Sequence, residues 1–416
     1  MPEFIKFTPG EYYDFEREQV QERLDIASGK KPMQGGFPPR EPRPYSTAEV
    51  LEYNKKWDPY NPLFNDPEYA KKAGYSDVPA FPGFAGMGAM GAPGFVKDIA
   101  DFFCYTNDGT DIRLARPVVA GDLLKTGESR GDFHEVTIPG SDLRQWYSGG
   151  TSTMVDSEGN TVITATSNVR DCYKKYDVDD VPYDFSANMA AWCDYFPPAH
   201  YTTDEDWETI RQLWAQEEIR GAEPRYWEDV EVGTFMTPTC TGPITYMDMI
   251  AWYGARPLDR RQLCDKEGLK TMFRDGNGNY LFETSLHLGN RNIPNGRMVW
   301  FNDTGARNVA RTVTNWIGDA GYVSRFCWRF FPFFKEMRTW QPYDYNLICE
   351  VVPGYENRPL NRHGSEGDTC IGKAYIYDKY IDENGRHCIR ICAWGETLDG
   401  DIVQVCPMEA VLPSRG

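Results

Sequence analysis

No run of 18 apolar residues occurs in this 416-residue chain, and no Cys-x-x-Cys pair. The first absence excludes a spanning helix, which needs about 20 apolar residues to cross the hydrocarbon core. The opening segment, MPEFIKFTPGEYYDFERE, lacks an apolar h-region, so no secretory leader is expected and the expected compartment is the cytoplasm. Eleven cysteines are present, an odd number scattered from Cys104 to Cys406. Without paired spacing they read as reduced thiols. Cys388 and Cys392 lie four apart in a strand-like run, HCIRICAWGE, a poor zinc pair. Neither a metal nor a cofactor is expected.

Basic residues are the scarcer charge: 44 Lys and Arg face 62 Asp and Glu, leaving a net charge of −18. Such a chain repels phosphate backbones and anionic bilayers, so nucleic acid and membranes are not expected partners, and an anionic small ligand needs a local basic patch. Aromatic residues are plentiful at 14%, which invites apolar pockets. The length is about two to three times that of a usual single core, so two domains are expected.

Along the chain, residues 28–46 are rich in Gly and Pro and read as a loop. Ser46 with Glu49 forms a capping box that opens a short helix ending before Pro59. The Gly- and Ala-rich stretch PAFPGFAGMGAMGAPGFVKDIADFF suits a helix lying close against a sheet. From Asp111 the pattern alternates like strands, with D-S-E-G-N as a hairpin turn. Residues 171–225 read as a polar connector whose helix starts at Thr202 or Thr203 and ends at Gly221 and Pro224. Its stripe of Trp207, Ile210, Leu213 and Trp214 is a face to be packed rather than a cofactor box. Later, Val309, Val313, Trp316 and Ile317 stand at helical spacing. Alternating strands then run from Val323 to Leu412, with turns at D-E-N-G and L-D-G-D. Each half therefore repeats a helix-then-sheet order. The expected class is α+β, with a first domain over 1–170, the connector over 171–225 and a second domain over 226–416.

The string WDPYNPLFNDPEYAKKAGYSDVPAFPGF resembles the signature of the MaoC-like hydratases: an Asp, then Asn-Pro, a small apolar residue and His, followed by an Asp and a Tyr-Ala pair. ARPVVAGDLLKTGE is similar to the strand that follows the central helix in that family. The second half, from RYWEDVEVG through GPITYMDMIAW and VTNWIGDAGYV to AVLPSR, resembles MaoC-family dehydratases whose first half is a FAS1-like dehydratase domain. The resemblance implies two tandem hot-dog folds, each a long helix wrapped by an antiparallel sheet, with an acyl thioester between them. The implied reaction is reversible addition of water to a 2-enoyl thioester, with an Asp and a His exchanging protons and a backbone N–H at a helix start polarising the carbonyl. It also implies an oligomer, a homodimer or larger, with an acyl-CoA as the substrate partner.

The departures are specific. Asp58 and Asn61 match the signature with one extra residue between them, but Phe64 stands where the family has His, and a phenyl ring cannot exchange a proton. Asp58 then acts with another partner or only holds the turn before Pro59. In the second half His287 keeps the family position, while Leu288 and Gly289 replace the aromatic and the Asp. Glu283, four residues earlier, meets His287 if the segment is helical. Asn302 and Asp303 open the next helix, where Asp303 is a natural N-cap and also a spare acid. Asp58, His287, Glu283 and Asp303 are thus the catalytic candidates. Asn61, Phe64, Gly83, Asn302 and Arg297 are the substrate-binding ones, with Arg307 and Arg311 as further cations. Three functions follow. The first is an acyl-CoA hydratase or dehydratase for a bulky, aromatic or carboxylated acyl group. The second is a catalytically degenerate partner subunit, and the third a thioesterase by fold analogy alone.

Overall fold

The computed structural model describes residues 2–32, 43–84, 99–179, 181, 200–245, 248, 272–274, 280–282, 300, 304–319, 322–329 and 344–416. Alternating apolar and polar residues build two antiparallel runs of five strands that share one edge. The first run holds β1 (Arg43–Pro44), β2 (Phe102–Leu114), β3 (Leu123–Glu135), β4 (Arg144–Val155) and β5 (Thr161–Lys174). The second holds β6 (Thr239–Thr241), β9 (Tyr322–Arg329), β10 (Cys370–Ile381), β11 (His387–Glu396) and β12 (Ile402–Val411). Their order in the one sheet is β1-β3-β4-β5-β2-β9-β12-β11-β10-β6. A separate ribbon pairs β7 (Met272–Arg274) with β8 (Tyr280–Phe282).

The local signals in the sequence are realised. Ser46 and Glu49 form both arms of a capping box on helix α2 (Thr47–Trp57), which stops at Asp58. Asp156 and Asn160 close the β4–β5 hairpin. After α3 (Pro62–Asn65) and α4 (Pro67–Lys72), the connector supplies α5 (Asp204–Gln216), capped by Thr203 with Asp206 reciprocating. Ile210 of α5 is buried against Cys240 and Ile371 of the second half, with Trp207 and Leu213 packed beside it, so these three form a packing face while Trp214 is half exposed.

Helix α6 (Thr304–Ile317) is the centre of the second half, and every residue of it except Arg307 is buried. Val309, Val313, Trp316 and Ile317 pack on Ile389 and Ile391 of β11 and on Cys406, Met408 and Ala410 of β12. The same core continues into the first half through Ile112, Ile163, Trp57, Phe64 and Phe81. The architecture is α+β, two hot-dog halves fused edge to edge. The stretch 85–98, expected to carry the matching helix of the first half, lies outside the described residues, as does the entry to the second half at 249–271. Among the described residues no helix is long and apolar enough to cross a membrane.

The outer face of the sheet is covered at both ends. Helix α1 (Arg17–Ala27) lies over the first half, where Phe7, Val20, Trp146 and Tyr173 cluster. Helix α7 (Leu347–Val351) covers Trp394 and Val405 in the second.

The seam between the halves is the β2–β9 pairing, with Ile112 opposite Phe326 and Arg113 opposite Arg325. Arg325 reaches back to Asp111 with Nη2 at 2.7 Å from Oδ2, and Arg329 holds Asp344 at 2.8 Å. Gly109 marks the register shift in β2 and has a φ of +138°. A β-carbon there would sit 1.9 Å from the Trp328 carbonyl oxygen. Both a left-handed φ and a backbone clash therefore oppose any side chain. Gly109→Ala is expected to lower the urea-unfolding stability by more than about 2 kcal/mol. An unchanged midpoint would mean that the seam does not depend on this close approach.

Candidate functional site

The signature segment is a chain of small caps. Asn61 caps α3, its Oδ1 accepting from Leu63 N at 3.0 Å with Pro62 in the first turn, and Asp66 caps α4 by accepting from Glu68 N and Tyr69 N. Asn65 Nδ2 donates to the carbonyls of Asp58 and Asn61, at 2.6 and 2.9 Å. This turn is rigid, and it places Asp58, Asn61 and Phe64 against α6 of the other half.

The contact follows from spacing. Arg307, Arg311 and Asn315 stand four apart and so share one stripe of the helix. Arg307 Nη1 donates to the Lys56 carbonyl at 3.0 Å, Arg311 Nε lies 3.4 Å from Asp58 Oδ1, and Asn61 Nδ2 donates to Asn315 Oδ1 at 3.0 Å. Arg311 also donates to Glu217 Oε2 at 2.9 Å and to Thr241 Oγ1 at 3.1 Å. Its charge is therefore answered from inside the protein.

Asp58 is fully buried. Oδ1 accepts from Tyr60 N at 3.2 Å, while Oδ2 has no hydrogen-bond partner. Burial pushes its carboxyl above the usual carboxylate range; Arg311 and the N–H groups of Tyr60 and Asn61 oppose the shift, and Glu217 adds to it. A protonatable carboxyl with one unengaged oxygen thus sits between the halves.

Phe64 packs edge-on against Phe81 at 5.3 Å, and it borders a narrow apolar cavity of about 30 Å³ shared by Pro82 and Leu114 of the first half and Ile317 and Val323 of the second. At its side the Tyr75 hydroxyl bonds to Asp319, and burial, then that carboxylate, raises its proton affinity. Gly83 has a φ of +92°, and a β-carbon there would meet the Tyr53 hydroxyl at 3.0 Å and the Phe326 ring at 3.4 Å. Its role in the described structure is a tight turn pressed on the seam. His287, Glu283, Arg297, Asn302 and Asp303 lie outside the described residues. Of the residues singled out from sequence, the structure therefore unites Asp58, Asn61 and Phe64, with Arg311. Glu217 and Asn315 were missed. Glu217 pairs with Arg311 across 94 residues, and no local pattern announces such a contact.

No family model matches the chain, and no curated protein matches it. Among solved structures, one titled MaoC-like dehydratase is 16% identical, covers 92% of this chain and 99% of its own, and superposes with a TM-score of 0.51. The chain has the MaoC-like dehydratase fold. A MaoC-domain protein from Chloroflexus aurantiacus J-10-fl matches at 14% identity with a TM-score of 0.47, covering 94% of this chain and 98% of its own. A Mycobacterium tuberculosis protein described as having a double hot-dog fold matches at 13% and 0.41, covering 91% and 96%.

The raised proton affinity of Asp58 fixes the sign of a pH effect. The folded state holds that proton more tightly than the unfolded chain, so the stability it contributes is complete below the ordinary carboxylate range and is lost as pH rises through the folded value. Asp58→Asn should flatten this limb and be no less stable than the parent at neutral pH, since Arg311 keeps Glu217. Arg311→Met leaves the buried Asp58 and the partly buried Glu217 without their cation and should cost about 3 kcal/mol or more at neutral pH. Chemical denaturation across pH reads both. If Arg311→Met is as stable as the parent, Asp58 is neutral and the pair is not an ionic one.

Proposed function

We propose that the protein is a hydro-lyase of thioesters, adding water reversibly across the double bond of a 2-enoyl ester to give the 3-hydroxyacyl ester. The observation that carries this reading is the state of Asp58: the signature's acid, buried, with its proton affinity raised and one oxygen unengaged, on the turn whose Phe64 borders an apolar cavity lined from both halves. Hydration needs one group to take a proton from water and another to deliver one to the α-carbon. In this reading Asp58, His287, Glu283 and Asp303 are the acid and base groups, and Asn61, Phe64, Gly83, Asn302 and Arg297 shape the acyl site. The first half is taken as 1–170, the connector as 171–225 and the second half as 226–416. The carrier is coenzyme A, the acyl group is bulky, aromatic or carboxylated, and the working form is a cytoplasmic dimer or larger oligomer.

A second reading is favoured by two observations. Asp58 is already committed to Arg311, and Phe64 fills the family's His position with core. On this reading the first half has lost catalysis, and the chain serves as a binding subunit of a larger hydratase.

Incubation with aliphatic, aromatic and dicarboxylic 2-enoyl-CoAs, followed by mass, separates the two. A gain of water that is lost in His287→Ala or Asp58→Asn establishes the hydro-lyase and locates its acid or base. Binding without turnover of any thioester favours the subunit, and neither binding nor turnover sinks both.

A further inference from the structure

The connector reaches the Asp58 pair through one residue, Glu217, the C-cap of α5. Both of its carboxylate oxygens are engaged: Oε1 accepts from Cys240 N at 2.7 Å and Oε2 from Arg311 Nη2 at 2.9 Å. Trp214, three residues earlier, donates from Nε1 to the Cys240 carbonyl at 3.1 Å. The connector therefore grips Cys240 of β6, the last strand of the sheet, by both its N–H and its carbonyl, and Ile210 packs beside that grip. A carboxylate fixed at both oxygens is a stationary charge.

That charge decides which way Arg311 points. Its Nη2 donates to Glu217, its Nη1 to Thr241 Oγ1 at 3.1 Å, and the Tyr60 ring lies over the guanidinium at 5.3 Å. Nε is left toward Asp58, at 3.4 Å from Oδ1 and without a hydrogen bond. Arginine holds a carboxylate most strongly through two parallel N–H groups, and Asp58 receives neither of them here. Arg307, one turn earlier on the same stripe, gives Nη1 to the Lys56 carbonyl at 3.0 Å.

We propose that Glu217 is a positioning residue for Asp58: by holding Arg311 Nη2 it withholds the cation's full contact from the buried carboxyl. Two charged groups then act on Asp58 in opposite directions. Arg311 of α6 favours its carboxylate and Glu217 of the connector opposes it, while the N–H groups of Tyr60 and Asn61 come from its own turn. The proposal rests on the hydro-lyase reading in giving Asp58 a proton to carry; the control of that proton is a matter of charge and distance.

The test is a double-mutant cycle on the full chain, read as urea-unfolding stability across pH. The contribution of Asp58 is measured twice, with Glu217 and with Glu217→Gln, each time as the difference from the matching Asp58→Asn variant. That contribution is complete at low pH and is lost as pH rises through the folded value. Glu217→Gln frees Arg311 for Asp58 and should move the upper end of the loss down by about one pH unit. Trp214→Phe removes the other hydrogen bond of the same grip without a change of charge; it should lower stability and leave the limb where it is. An unmoved limb in Glu217→Gln overturns the assignment. So does an equal shift in Trp214→Phe, because Glu217 then only anchors the connector. In hydration of 2-enoyl-CoAs, the limb of the pH profile that Asp58 sets should move to lower pH by the same amount. A shifted stability limb in a protein that turns over no thioester removes the hydro-lyase reading and leaves the control of Asp58 standing.

Discussion

A helix buried on every side has no solvent to answer its charges, and α6 is such a helix. Its apolar residues face the sheet of its own half, while Arg307, Arg311 and Asn315 face the signature turn of the other. An isolated guanidinium in that place would cost several kcal/mol, and Glu217 at 2.9 Å, with Asp58 at 3.4 Å, answers Arg311. The first half thus helps to answer a charge buried in the second.

The sheet meets the same demand with different means. Edge strands left unpaired would invite association, and pairing β2 with β9 removes the inner edge of each half. Arg325 and Arg329 then lie near Asp111 and Asp344, again buried cations, answered by a partly buried and a buried anion. Gly109 permits the approach by having no side chain to collide with Trp328. Both halves of the interface, helix and sheet, are therefore polar in detail although the core that runs through them is apolar.

Local features were legible in the sequence because their causes are local. The Ser46–Glu49 box, the Thr203 cap, the Asp156 turn and the stripe from Val309 to Ile317 each depend on residues within one or two turns. The double hot-dog class was legible through the signature strings, which carry order along the chain. What stayed hidden was whatever depends on folding the chain back on itself: Arg311 read as one of three cations for a phosphate or a carboxylate, or as a solvated or paired surface charge, and its contacts with Asp58 and Glu217 are visible only once residues 58, 217 and 311 are adjacent. Asp58 itself read as either a catalyst or a turn former. The structure adds a burial that raises its proton affinity and a cation that restrains it, and neither has a counterpart in spacing.

That double character bears on how two fused halves divide their work. Asp58 is held between two demands: protonation relieves the cost of burying its charge and gives up its attraction to Arg311. In the second half, two buried polar atoms near the start of α6, Thr304 Oγ1 and Gln404 Nε2, have no partner. Phe64 serves the packing of the same turn: a histidine would need a polar partner in the apolar cluster with Phe81 and Trp57, and a phenyl ring needs none.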